Sequence, residues 1–200
     1  MSNWIPAATA TYHSEVLHSR FIASAGPTAS VEQARAFIAH ARAAMPAASH
    51  HVYAYSIGHG ATTTLGMSDD GEPSGTAGRP LLSVVKGSGL GDLTLVVTRY
   101  FGGTLLGTGG LVHAYGDAAR EVLAILPRVE KIERRTLLMA VEYASYEQAK
   151  RLILAHAGAI AVEEFAADVT IEAAVPLAQV ASLTAGLTEL TAGRASIVEA

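Results

Sequence analysis

The stretch VTRYFGGTLLGTGGLVHAY, Val97–Tyr115, runs from an apolar strand through Arg-Tyr-Phe into a turn with five glycines between positions 102 and 110. A backbone that only turned a corner would need one or two. Beyond them Leu111, Tyr115, Ala118, Ala119, Val122 and Leu126 recur at three or four residues, which predicts a helix ending at Pro127. Gly102 and Gly103 thus follow the strand. Gly107, Gly109 and Gly110 open the helix, with Thr108 as its predicted N-cap. The free N–H groups of a first turn, together with the helix dipole, favour anions. Arg99 leaves the strand beside them, and Arg79 opens another predicted helix. These residues are candidates for an anion or phosphate-backbone pocket, with Tyr100 and Phe101 as stacking surface. The competing reading is structural: the glycines allow close packing, and Arg99 pairs with a loop acid. No Gly-Lys-Ser/Thr follows, so this is no P-loop, and GTLLGTGG fits GxGxxG in no register, so no cofactor is read from it.

Working outward, strands are predicted around 10–17, 19–25, 51–57, 62–67 and 92–98. Ser30-Val-Glu-Gln33 reads as a capping box opening a helix to about Met45, which Pro46 ends. Pro80 is placed as the first residue of a short helix that Gly87 closes.

Before that helix lies SDDGEPSGTAGRP, Ser68–Pro80. Asp69, Asp70 and Glu72 are three acids within four residues. Such a set suits acid–base work or a hard cation. The plainer reading has Asp70 and Glu72 bond the loop's own N–H groups or pair with Arg79 and Arg99, and no metal is assigned. Ser74 follows Glu-Pro rather than a strand and lacks the Gly-x-Ser-x-Gly frame of a hydrolase elbow. Ser74, Thr76 and His50 are placed with the acids on the rim of the site. His50 and His51 are adjacent on a strand and so face opposite sides. His113 precedes Asp117 by one turn, a spacing that suits surface pairing or the mouth of the glycine site.

Beyond Arg128 the charge balance changes. Eight Lys+Arg meet eight Asp+Glu up to that residue, against six and ten after it. A strong general nucleic-acid binder would be basic. The second half reads strand, helix, strand, strand, helix, strand, with a further capping box at Ser145–Gln148 and an inward row at 169, 171, 173 and 175. That order is the split-βαβ, ferredoxin-like arrangement. The expected division is residues 1–128, a linker over 129–135, and 136–200. The chain lacks cysteine, which removes disulfides, thiol nucleophiles and cysteine-ligated metals. No signal pattern opens it, and no apolar run nears the roughly 20 residues of a membrane span. A cytoplasmic protein without membrane contact is the default.

SRFIA (Ser19–Ala23), HHVYAY (His50–Tyr55), SDDGEPSGTAGRP and VVTRYFGGTLLGTGGLVHAY (Val96–Tyr115) together resemble the IMPACT/YigZ family. The resemblance covers residues 10–126, and the acidic remainder is similar to the last domain of elongation factor G. It implies an α+β fold of two domains. The first would be a sandwich, helices on one face of a sheet, like the second domain of a small-subunit ribosomal protein and domain IV of elongation factor G. The second would be ferredoxin-like. It also implies a role in translational control, which eukaryotic relatives exert by binding an activator of a stress kinase. Three positions depart from the family form: Leu105 stands for a Lys, His113 for an Arg, and His51 for an Asn. Losing two cations beside the glycine turn weakens a phosphate contact, each by about one unit of salt slope.

These residues lead to a non-catalytic regulator linked to translation, binding a ribosome, RNA backbone or translation-associated protein at the glycine turn, Arg79 and Arg99, with Arg20 nearby. The alternatives are a hydrolase, metal-dependent or acting on a small molecule, using Asp69, Asp70 and Glu72, and a protein-interaction module without nucleic acid.

Overall fold

Strand β6 (Leu93–Tyr100) is buried at seven successive positions, so both of its faces are covered. It is the centre of a five-stranded sheet ordered β2-β3-β6-β4-β5, built with β2 (Ala10–Val16), β3 (Ser19–Pro27), β4 (His50–Ile57) and β5 (Thr64–Ser68). All its pairings are antiparallel. The computed structural model of the chain describes residues 3–199.

The period-two alternation of strands splits this sheet into two apolar faces. Phe21, Ala23, Ala25, Val52, Ala54, Leu93, Leu95 and Val97 point to one, where helices α2 (Gly78–Gly87) and α3 (Gly107–Ile125) supply Leu81, Val85, Leu111, Tyr115 and Val122. Val96 and Tyr53 point to the other, where α1 (Val31–Ala44) lays down Phe37, Ile38 and Ala41. The helices therefore cover both faces rather than the one expected. The reason is legible in β6 itself, whose run of Leu and Val would leave Val96 in water if only one face were packed.

Ser30 caps α1 as its sequence predicts, its Oγ accepting from the Gln33 N–H while Gln33 Oε1 accepts from the Ala29 N–H. Two other caps differ from expectation. Helix α3 begins two residues earlier, after Leu106, and no side chain caps it, so Thr108 is a first-turn residue. Helix α2 begins at Gly78, two residues before Pro80. A two-stranded pairing of β1 (Trp4–Pro6) with β7 (Arg128–Glu130) was not anticipated, and it places a strand within the stretch read as a linker.

The chain divides into two compact units between Lys131 and Ile132. The second unit holds β8 (Arg134–Val141), α4 (Tyr143–Ala155), β9 (Ala159–Phe165), β10 (Val169–Pro176), α5 (Leu177–Leu190) and β11 (Ser196–Glu199). Its four-stranded sheet runs β11-β8-β10-β9, all antiparallel, which is the ferredoxin-like arrangement. Val169, Ile171, Ala173 and Val175 alternate inward against Ile153, Leu183 and Leu187 of the helices. Ser145 is not a cap there: α4 starts two residues earlier, after Glu142, whose carbonyl accepts the Ser145 N–H.

Candidate functional site

Both motif loops of the first unit are held by a buried cluster at the ends of β3, β4 and β6. Glu72 and Arg99 form an ion pair of 2.8 Å, their side chains only 3% and 5% exposed. The same Glu72 Oε1 accepts the Tyr115 hydroxyl at 2.7 Å. Arg99 Nη2 donates to Ser19 Oγ, which also accepts the Gly102 N–H. The guanidinium carbon lies 5.5 Å from the ring centroids of both Phe21 and Phe101. Its Nε is buried without a hydrogen-bond partner among the described residues. Burial, reinforced by the Glu72 hydrogen bond, pushes the Tyr115 phenol far above its ordinary range, so it acts here only as a donor.

Arg99, a candidate for the anion site, is thus buried and paired inside the fold. A buried charge persists only when paired, and Glu72 supplies the pair. This is the loop-acid pairing that the sequence offered as the alternative.

The other loop acids are also engaged. Asp69 accepts the N–H groups of Gly75, Ala77 and Gly78, and so caps α2 from nine residues upstream. Burial alone would raise the Asp69 carboxyl, but these three donors and the nearby charge of Arg79 outweigh it and hold it below the usual range. Gly78 is required because the backbone of Ser68 passes over it: a Cβ there would sit 2.8 Å from the Ser68 carbonyl carbon. Asp70 accepts the His51 N–H at 2.7 Å and pairs with Arg42, a partner the sequence did not suggest. Arg42 lies in the last turn of α1 and Asp70 28 residues away, so no local pattern joins them. Thr76 closes a turn on the Pro73 carbonyl, and Ser74 lies exposed within it.

The two histidines separate as their spacing requires. His50 Nδ1 is 2.8 Å from the Asp70 carbonyl, so it donates, and its Nε2 stands 3.9 Å from Glu72 Oε1, beyond hydrogen-bond reach. His51 is buried against Thr98 Oγ1 at 3.1 Å. Burial first, and the Arg42 charge second, hold its imidazole below the ordinary range.

The glycine turn presents a different surface. Gly102 is locked, since a Cβ would fall 2.1 Å from the carbonyl of His18. Gly103, Gly107 and Gly109 are exposed, with nothing within 4 Å of where a Cβ would stand. Leu105 is 84% exposed and Phe101 48%. The first turn of α3 is open at Thr108, and Gly110 is half-buried under Leu106. His113 is exposed on α3, but Asp117 pairs with Arg120 instead of with it. Tyr100 lies under the Arg20 guanidinium, 4.6 Å from its ring centroid. Arg79 is exposed. The carboxyl ends of α2 and α3 line one cavity through Val84, Gly87, Leu123 and Ala124. No helix among the described residues is long and apolar enough to cross a membrane.

Comparison with known proteins bears on both units. The Impact N-terminal domain model matches residues 17–123, and a domain of unknown function, DUF1949, matches residues 139–194. IMPACT family member YigZ of Escherichia coli (strain K12) is 41% identical, with 96% of each chain covered. An IMPACT family member of Haemophilus influenzae is 36% identical, over 95% of this chain and 93% of that one. A solved structure described as a hypothetical protein superposes with a TM-score of 0.77 at 40% identity, covering 99% of this chain and 97% of the other. With the model matching more than half of its length and relatives aligned nearly end to end, the chain belongs to the IMPACT family.

Proposed function

We propose that this protein is a non-catalytic regulator linked to translation, whose first unit binds an anionic group of a translation component at the open amino end of α3. Supporting this is one contrast: every acid of the motif loops is engaged by the protein's own donors, while the first-turn amides at Gly107, Thr108 and Gly109 have no side-chain cap. Unpaired amides at the positive end of a 19-residue helix suit a phosphate or carboxylate oxygen. His113 is exposed on α3 and Arg79 at the start of α2, and Arg20 with Tyr100 and Phe101 offers a flat surface beside the turn. Arg99 acts as scaffold, fixing Glu72, Ser19 and through them the turn.

The test is co-sedimentation with ribosomes across a salt series. Thr108→Asp places the protein's own carboxylate over the first turn, and binding is expected to be lost while the helix is retained. Arg79→Ala is expected to lower the salt slope by about one unit. Binding insensitive to both variants would overturn the reading.

One observation favours a protein partner over RNA. Leu105, Phe101 and Leu17 are exposed at 84%, 48% and 56%, and Gly102 abuts the backbone of His18, next to Leu17. Apolar side chains around an anion site suit a carboxylate on a protein surface better than a phosphate backbone. Retention of the partner after RNase treatment separates the two.

A further inference from the structure

Strand β5 is an edge of the five-stranded sheet, and among the described residues nothing pairs with its outer side. Its sequence, Thr-Leu-Gly-Met-Ser, carries no charge and no proline. Edge strands are ordinarily protected by charge, proline or cover. The opposite edge, β2, has such protection in exposed His13 and Glu15. On β5 the exposed side chains are instead apolar: Leu65 and Met67 are each 39% accessible. They pair across to Ser56 and Ala54, which places them on the α2 side of the sheet. Gly66 between them lies under the ring of Tyr55, where a Cβ would meet Tyr55 at 2.1 Å.

A cavity of about 440 Å³ opens at the start of this edge, lined by Leu65, His59, Gly60, Thr63 and Lys86. Helix α2, which flanks the edge, bears Arg79 and Lys86 and no acid. The two acids that follow the strand are already spent, Asp69 on three backbone N–H groups and Asp70 on Arg42 and His51.

We propose that β5 is a strand-addition site for an extended acidic segment of a partner protein. The segment's backbone would continue the sheet. On the α2 side of the added strand, apolar side chains would lie beside Leu65 and Met67, and carboxylates at the flanking positions of that same side would face Lys86 and Arg79. Main-chain bonds supply affinity in such docking and side-chain pockets supply selectivity; the cavity beside Leu65 is that pocket. A second copy of this chain fits less well, because pairing β5 with itself about a two-fold axis brings two acid-free, basic α2 helices alongside each other.

The full-length protein is titrated with a capped heptapeptide, Glu-Thr-Val-Thr-Val-Thr-Glu, whose glutamates and valines share one side of an extended strand, and with the same peptide carrying lysine for glutamate. Amide hydrogen exchange is read at residues 64–68. The glutamate peptide is expected to slow exchange there and the lysine peptide to leave it unchanged. Lys86→Glu and Met67→Asp are each expected to weaken the glutamate peptide about tenfold. Lys86 is exposed, so its variant reports on binding even if Met67→Asp disturbs the fold. Unchanged exchange at 64–68, or equal response to both peptides, overturns the proposal. Self-association of the free chain that Met67→Asp abolishes overturns it as well, by assigning the edge to a second copy.

Discussion

The loop over residues 68–77 and the turn over residues 101–106 both read as candidate sites in the sequence, yet they are built in opposite ways. The first holds three carboxylates, and each is consumed by the protein: Asp69 by backbone amides, Asp70 by Arg42 and a strand N–H, Glu72 by Arg99 and Tyr115. The second holds no ionisable side chain, and its backbone leads into a helix end without a side-chain cap. In this molecule the charged motif is scaffold and the uncharged one is open surface. A buried carboxylate must be satisfied at a cost of several kcal/mol if it is not, whereas an exposed amide is satisfied by water at little cost and remains free to exchange that water for a ligand.

The strongest way to break this contrast is to remove the scaffold charge. Glu72→Ala leaves the Arg99 guanidinium buried without a counter-charge, with Ser19 Oγ as its remaining acceptor, and the Tyr115 hydroxyl buried without its acceptor. Urea denaturation is expected to show a loss of about 3–5 kcal/mol. Arg79→Ala, at an exposed position, is expected to change stability by less than about 0.5 kcal/mol. Near-equal effects of the two would mean that the pair is not the anchor of the loops.

Within the glycine turn the same contrast can be sharpened residue by residue. Gly102→Ala forces a Cβ to 2.1 Å from the His18 backbone, which cannot yield without moving the β2–β3 turn. A loss of about 1–3 kcal/mol is expected on thermal or chemical denaturation. The tip of that turn is itself tense, because Leu17 and His18 both have positive φ, of 46° and 65°. A variant at Gly102 that melts like the parent would show that turn and hairpin are not in contact.

Much of this arrangement was legible in the chain. Period-two and period-3.6 patterns, together with proline, glycine and capping signals, placed the long strands and the five helices, because burial of one face is what those periods encode. The capping box at Ser30 was real, and the identical pattern at Ser145 was not, since a hydroxyl three residues before Gln caps only where the chain first turns helical. The pairing of Glu72 with Arg99 was foreseen as an alternative because a strand-borne Arg beside three acids rarely stays unpaired. What escaped was non-local. Arg42 meets Asp70 across 28 residues, Asp69 caps a helix nine residues on, and β1 finds β7 across the whole unit. No periodicity reports such distances. Nor did the sequence say which side of the glycine turn is sealed: Gly102 and Gly109 look alike until the neighbours of each are known.

Asp69 gives the acid loop a pH signature. Its carboxyl is lowered in the folded protein, since its three N–H donors and Arg79 outweigh the effect of burial. A depressed carboxylate contributes stability above its unfolded value of about 3.9, and that contribution is lost as pH falls through the lower folded value. Asp69→Ala is expected to cost about 1 kcal/mol at neutral pH, the usual worth of a helix cap. The difference from the parent should shrink below about pH 4. A pH-independent difference would show that the residue acts through shape rather than charge.

The smallest effect tests the open side most directly. Gly109 lies in the first turn of α3, its φ is not in the left-handed region, and no atom stands within 4 Å of where its Cβ would be. On stability alone alanine belongs there, and Gly109→Ala is expected to gain about 0.5 kcal/mol by restricting the unfolded chain. Glycine at a position where alanine is better tolerated suits a backbone that something approaches closely. The variant should therefore melt slightly higher and bind ribosomes or their associated proteins less well. A gain in stability with binding unchanged would leave the amino end of α3 a plain helix start. A loss in stability would mean that the first turn is more crowded than its surroundings show.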